Sequence, residues 1–459
     1  MYRKQISTYF DEHFDEIIAS LKEIMSIDST FQSPQKGMPF GEGSAKALKW
    51  GAEFGQSLGM KVKNFDNYAV SMDFKDGDPK LGILSHLDVV PASDGWHYPP
   101  FDCTVDGDKI YGRGAIDDKG PSVAVLYAVK CIKELHIPIK DNFRVIFGGN
   151  EEGGCQDIEY YEQQEKFPPM VFTPDGTFPV LNCEKGMVHL NFSGKQSLSE
   201  KNGIKIKHIK GGTVINAIPD KAECICTGIT SDNLVKAFET IKTDCDIDIT
   251  EGKDVSFVIT GKSAHGSRPE FGENAVTAML KLLSYLGFEN AVKLSKLFPH
   301  CEYDGKSAGM GFSDSISGKM TCALTTLNFD GENINGGIDI RFPIDKTLKE
   351  ISDIITEALK KADMRVTDID GMEPHYVPED SPLVKALMEV YREVKGEDGR
   401  CIAEGGITYV HNTDGGVAFG AEFPEEQNNM HGADEHISIE TFKYNLNMYA
   451  NAIIKICGE

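Results

Sequence analysis

Leu81-Gly82-Ile83-Leu84-Ser85-His86-Leu87-Asp88 decides the fold class. A strand-like run, Leu81–Ser85, leads straight into a histidine and an acid. Two more runs have the same form. Arg144-Val145-Ile146-Phe147 precedes Asn150-Glu151-Glu152-Gly153, and Met170-Val171-Phe172 precedes Thr173-Pro174-Asp175-Gly176. Between the first two lies a stretch of helical character, Pro121–Leu135. Strands alternating with helices predict an α/β fold with a mixed, largely parallel sheet flanked by helices. In open α/β sheets ligands gather beyond the carboxyl ends of the strands. The three polar segments are therefore expected to meet at one sheet edge.

Working outward, Phe14, Ile17, Ile18, Leu21 and Ile24 fall three or four apart and predict a helix over Asp11–Met25; a second is expected over Ser44–Leu58. From Gly186 the character changes. Val188-His189-Leu190-Asn191-Phe192 and Ser256-Phe257-Val258-Ile259-Thr260 alternate as antiparallel strands do, and Glu273–Leu286 is helical. This predicts an inserted α+β lid, a substrate-binding domain over residues 186–378. The helix expected at Ser381–Lys395 returns the chain to a catalytic domain made of residues 1–185 and 379–459. There is no short internal repeat and no low-complexity segment.

The chain has 459 residues, 40% of them hydrophobic and 26% charged. It is too long for one core and fits about two or three domains. A formal net charge of -24 repels nucleic acid and anionic membrane, so neither is expected as a partner. Met1–Ser7 begins no apolar stretch of signal-peptide length, and no run reaches the roughly 18 apolar residues of a membrane span. The eleven cysteines are scattered. Cys224 and Cys226 make a C-x-C, but no C-x-x-C pair exists, so free thiols and a cytoplasmic location are expected. A zinc–thiolate site is the weaker rival.

Each polar motif alone has an ordinary structural reading. His86 with Asp88 reads as a buried histidine beside a carboxylate. On one strand face, however, Asp88 would orient the imidazole and raise its basicity, the usual support of a metal-bound histidine. Asp117 sits in the glycine-rich turn Gly112-Arg113-Gly114-Ala115-Ile116-Asp117-Asp118-Lys119-Gly120, which reads either as a solvated turn or as a carboxylate bridging two metals about 3.5–4 Å apart. Glu151-Glu152 reads as a charged loop, or as a general base, Glu151, beside a ligand, Glu152. Met430-His431-Gly432 supplies a second histidine. The ordered conjunction of all these points to a metal-dependent hydrolase.

The chain resembles the M20 metallopeptidases, and among them the PepV-like dipeptidases of the Xaa-His or β-Ala-His type. The resemblance runs nearly full length. It is carried by Ser85–Pro91, by Gly95-Trp96 with Pro100-Phe101, by Gly112–Gly114 with Asp117–Pro121, by Glu151–Gly153, by Pro174–Pro179 and by His431-Gly432. It implies that His86 and Asp175 hold one divalent ion, Glu152 and His431 the other, and that Asp117 bridges them. It keeps Asp88 and Glu151 in the roles given above, and places a cis peptide at Asp117–Asp118. In the insert it implies that His265 stabilises the oxyanion, that Asn216 makes a second polar contact to substrate, and that Arg341 grips the substrate's terminal carboxylate. Glu404–Tyr409, with Gly405 and Gly406, and Gly416–Gly420 resemble a substrate-binding loop. Val410-His411-Asn412 departs from the basic residue that relatives carry there, which leaves side-chain preference open.

The expectation is thus a metallo-dipeptidase (EC 3.4.13.-) in which a water bridging two metals attacks a peptide carbonyl and Glu151 carries the proton. Its substrates would be small dipeptides. Imidazole and carboxylate donors favour zinc and also allow manganese or cobalt. The large insert favours a monomer. The rival enzyme is an N-acyl amino acid deacylase, such as a succinyl-diaminopimelate desuccinylase or an aminoacylase. A non-catalytic binding protein on the same scaffold would lack the base, and Glu151 is present.

Overall fold

The three polar segments follow neighbouring parallel strands. In the computed structural model, which describes residues 2–195 and 200–458, Pro79–His86 lies between Asn142–Gly148 and Met170–Thr173, parallel to both. His86 pairs with Gly148 in register, so the two strands end level. Val417–Ala418 continues the parallel set beside Met170–Thr173. Antiparallel strands Ala69–Asp73 and Lys61–Phe65 extend one side, and Val180–Glu184 extends the other. The sheet is mixed with a parallel centre.

Parallel strands buried on both faces read as apolar runs, and these do apart from Arg144, which pairs with Asp73. Leu81 and Ile83, with Phe143, Val145 and Phe147, belong to the larger core, which also holds the buried residues of helices Glu42–Ser57, Lys119–Glu134 and Ile439–Cys457. Leu84, Ile146 and Val171 pack on the opposite face with Ile158, Tyr161 and Tyr409. Because side chains alternate, Ser85 faces the helix Lys119–Glu134 while His86 faces Tyr409.

The chain divides into two compact units. The first comprises Met1–Cys183, Tyr376–Ile402 and Ile407–Glu459; the second comprises Glu184–His375 and Ala403–Gly406. The second is built on an eight-stranded antiparallel sheet that runs, edge to edge, from Asp246–Glu251 to Arg365–Met372. Lys221–Thr227 shows its plan: Ala222, Cys224 and Cys226 are buried, while Lys221, Glu223 and Ile225 are exposed. Helices Ser231–Ile241, Ala275–Tyr285, Glu289–Leu297 and Leu348–Lys361 contribute to the same core.

Two details differ from the sequence reading. The helix expected over Asp11–Met25 is two helices, Arg3–Glu12 and Phe14–Met25, broken at His13. His13 stacks on Tyr9, and its Nδ1 donates to the Tyr9 carbonyl that also accepts the His13 amide. The tetrapeptide Ala403–Gly406, expected in the catalytic domain, belongs to the second unit. Lys185 N donates to the Glu404 carbonyl and Arg341 Nη1 to the Gly405 carbonyl, which tie it there.

Phe147 is fully buried one residue before the sheet edge. Phe147→Ala should cost about 3–5 kcal/mol, read as a lowered midpoint of denaturant unfolding of the metal-free protein.

Candidate metal centre

Three strand ends deliver the side chains to one place. His86 is the last residue of its strand and is fully buried. Its Nδ1 lies 3.0 Å from the Asp88 carbonyl oxygen. A carbonyl only accepts, so Nδ1 donates and Nε2 keeps the lone pair. That Nε2 is 3.0 Å from Asp117 Oδ1 and 3.7 Å from Asp175 Oδ2. The other oxygen of Asp117, Oδ2, is 2.8 Å from His431 Nε2, which in turn is 3.1 Å from Glu152 Oε1. One carboxylate thus faces both histidines with one oxygen each. Donor atoms of His86, Glu151 and Asp175 lie within 4.8 Å of one another, and so do those of Asp117, Glu152 and His431.

Asp88 stands beside the imidazole and raises its basicity as expected, but strand alternation does not place it there. The strand ends at His86, so no shared strand face aims its carboxylate at the imidazole. The backbone carbonyl holds the ring, with Asp88 Oδ1 at 3.5 Å. The carboxylate instead accepts two amides, Glu151 N on Oδ1 at 3.0 Å and Glu152 N on Oδ2 at 3.1 Å.

Other residues that carry no signal of their own fix the turn of Asp117. Glu435 Oε1 accepts Gly114 N at 2.8 Å and Ile116 N at 3.3 Å, and Glu435 forms a buried ion pair with Arg113. Arg113 Nη2 also donates to the carbonyls of His431 at 3.1 Å and Gly432 at 3.3 Å. One ion pair therefore links the Asp117 turn to the His431 segment. Asp118 Oδ2 accepts the Ser85 hydroxyl and, at 3.2 Å, the His86 amide. The Asp117–Asp118 peptide is cis, as the resemblance implies. His97 Nδ1 is 2.6 Å from Asp434 Oδ2.

The remaining expected residues come together within the second unit. Gly266 N donates to the Asn216 carbonyl at 2.7 Å, and Ala217 pairs with His265. His265 Nδ1 is 2.6 Å from Ser267 Oγ. A side chain on Gly405 would meet Ser267 Cβ at 2.8 Å and Arg341 Cγ at 3.3 Å, so only glycine fits there; Gly406 faces open space. Arg341 departs from the expected free fork. It is 3% exposed, and its Nε and Nη2 both bond Asp339, at 2.8 Å each. A buried guanidinium needs a counter-charge, and residue 339, two positions back on the same strand, stands on the same face. Tyr409, expected in the substrate-binding loop, is buried in the first unit beside His86.

Comparison with known proteins decides the family. Residues 82–455 match the family described as Peptidase family M20/M25/M40. The chain belongs to peptidase family M20/M25/M40. A Beta-Ala-Xaa dipeptidase of Lactobacillus delbrueckii subsp. lactis is 30% identical over 457 residues, covering 96% of each chain. The fold is shared with human carnosine dipeptidase 1 (TM-score 0.65, 16% identity, 100% and 99% of the two chains) and with the di-peptidase Dug1p of Saccharomyces cerevisiae (TM-score 0.61, 14% identity, 100% and 99%). Among the described residues no helix is long and apolar enough to cross a membrane.

The family is metal-dependent, and the residues of this M20 chain fit metal ions. His86 Nε2 and Glu152 Oε1 are buried and, though close to Asp117 and His431, out of line for hydrogen bonding; neither has such a partner among the described residues. Buried polar atoms left without a partner where several donors converge are places that a cation would satisfy. The electrostatics agree. Burial, reinforced by neighbouring acids, pushes the carboxyls of Glu151 and Asp175 well above the usual carboxylate range and Glu152 upward. Against the effect of burial, Asp117 and Glu152 raise His431 to about 11 and are thus its counter-charges; Asp117 is held down by the two histidines. A cluster so rich in crowded acid is matched by cationic charge.

The Arg113–Glu435 pair gives a stability prediction. Arg113→Met leaves Glu435 buried without its cation and should cost about 3–5 kcal/mol, with part recovered in Arg113→Met/Glu435→Gln. Burial already pushes Glu435 up to about 7 beside Arg113. Without the arginine the folded state holds that proton still higher, while the unfolded chain releases it near its ordinary value. The deficit relative to the parent should therefore widen as pH rises past 7. Thermal unfolding of both metal-free proteins across pH checks this.

Proposed function

We propose that this chain is a dipeptidase that uses two divalent metal ions. The observation that carries the reading is Asp117, whose two oxygens address His86 and His431 separately, with Glu151 alongside. His86 and Asp175 would hold one ion, Glu152 and His431 the other, and Asp117 both. Bound there, such ions supply Lewis acidity, acidifying water and polarising a carbonyl. Zinc suits the donors best, and manganese and cobalt also suit them.

The chain's own residues do the rest. Glu151, kept basic enough by burial to accept a proton, takes one from the attacking water and returns it to the leaving amine. Asp88 fixes the backbone from which Glu151 and Glu152 project. In the second unit, His265 is assigned to the carbonyl oxygen of the substrate and Asn216 to a second polar contact with it. Arg341, its donors taken by Asp339 and the Gly405 carbonyl, is assigned to holding the Gly405–Gly406 backbone against the substrate. Dipeptide rather than N-acyl amino acid is supported by the dipeptidase from Lactobacillus delbrueckii, which the chain matches over almost its whole length.

Chelator-stripped protein should be inactive, and added Zn²⁺ or Mn²⁺ should restore hydrolysis of free dipeptides, β-alanyl dipeptides included, but not of N-acyl amino acids. Restoration on N-acyl substrates alone would make the chain a deacylase. Glu151→Gln should lower kcat by about 10²–10⁴-fold and still bind two metal ions per chain by elemental analysis. A wild-type rate in that variant would remove Glu151 as the base.

A further inference from the structure

The loop that bears Glu151 and Glu152 presents three successive amides to buried carboxylates. Glu151 N and Glu152 N go to Asp88, and Asn150 N goes to Asp157 Oδ2 at 2.7 Å. Asp157 is fully buried at the start of the helix Gln156–Gln164. Its Oδ1 accepts Ile158 N at 2.8 Å, and the Tyr409 hydroxyl donates to the same Oδ2 that holds Asn150. Tyr409 is 1% exposed, and its ring stands edge-on to His86, centroids 6.1 Å apart and planes at 87°. Gly148 makes room: a side chain there would lie 2.0 Å from the Tyr409 oxygen.

We infer that Asp157 and Tyr409 are positioning residues for the general base, holding the Asn150–Glu152 backbone so that Glu151 is aimed. The inference rests on the reading of Glu151 as that base. A buried amide must find an acceptor, and for Asn150 the acceptor is one oxygen of Asp157. Asp157 sits in the same loop neighbourhood as Asp88, and like charges so placed repel. The Tyr409 hydroxyl offsets this by giving the shared oxygen a second donor. Because its ring touches His86, Tyr409 ties the base loop to a ligand of the other strand. Misplacement of a reacting group by about 1 Å can cost about 10²-fold in rate, so a loop holding a base needs such anchoring.

The test uses metal-saturated Tyr409→Phe, Asp157→Asn and the double variant on a free dipeptide. Tyr409→Phe should lower kcat about 10-fold and Asp157→Asn up to about 10²-fold, with KM within about twofold and two metals per chain retained. Since both act at one oxygen, the double variant should cost about what Asp157→Asn costs alone. If Asp157→Asn does not fold, Tyr409→Phe, which keeps the ring, decides. An unchanged kcat in Tyr409→Phe, a loss of metal in step with kcat, or purely additive losses would overturn the inference. Glu151→Gln, measured alongside, tests the base itself: a full rate there fails the underlying reading whatever Tyr409 shows.

Discussion

Everything at the sheet edge depends on the repulsion among crowded acids, Asp117 buried and the other three half-buried. Asp117, Glu151, Glu152 and Asp175 are brought within a few ångströms by three parallel strands and one turn, with only two imidazoles among them. Carboxylates so crowded would ordinarily take up protons or swing apart. Here the backbone prevents the second outcome. The arrangement is therefore a device for presenting negative charge to a cation, and its cost must be borne by the rest of the fold.

The way that cost is met is consistent across the site. Acids that do not line the centre are used to hold the backbone of those that do. Asp88 accepts the amides of Glu151 and Glu152, Asp157 that of Asn150, and Glu435 those of Gly114 and Ile116. A carboxylate accepting backbone N–H groups is a charge-assisted bond, stronger and shorter than a neutral one. Each also removes amides that a tight, buried loop would otherwise leave unsatisfied. Rigid placement of the donors and satisfaction of the loops are thus one solution.

How much of this the sequence reveals follows from the range of the interactions. Leu81–Ser85 and Arg144–Phe147 are legible as strands because central parallel strands are mostly apolar on both faces, and the polar segment that follows each run marks the edge. The partners that fix the site carry no such mark. Glu435 bonds Gly114 across 321 positions, and Asp434 bonds His97 across 337. No periodicity reports contacts that distant. Nothing in the sequence singles out Asp157, and only folding brings the Tyr409 hydroxyl and the Asn150 amide to one of its oxygens. The break at His13 is equally silent, since neither glycine nor proline marks it.

Arg341 shows why residue type is a weaker guide than residue environment. A fixed fork suits a carboxylate partner, and the structure supplies one from the same strand, Asp339, fully buried and held low by Arg341 and His189 against the opposing effect of burial. A guanidinium neutralised in this way is a poor electrostatic magnet but a rigid strut, and its Nη1 supports the Gly405 carbonyl. Gly405 has no room for a side chain, so what that segment offers is backbone, fixed by Arg341 from behind. Under the role proposed for it, recognition by such a segment is geometric. It would select by the length and shape of a small peptide more than by its charge, which is the kind of selectivity an enzyme restricted to dipeptides requires.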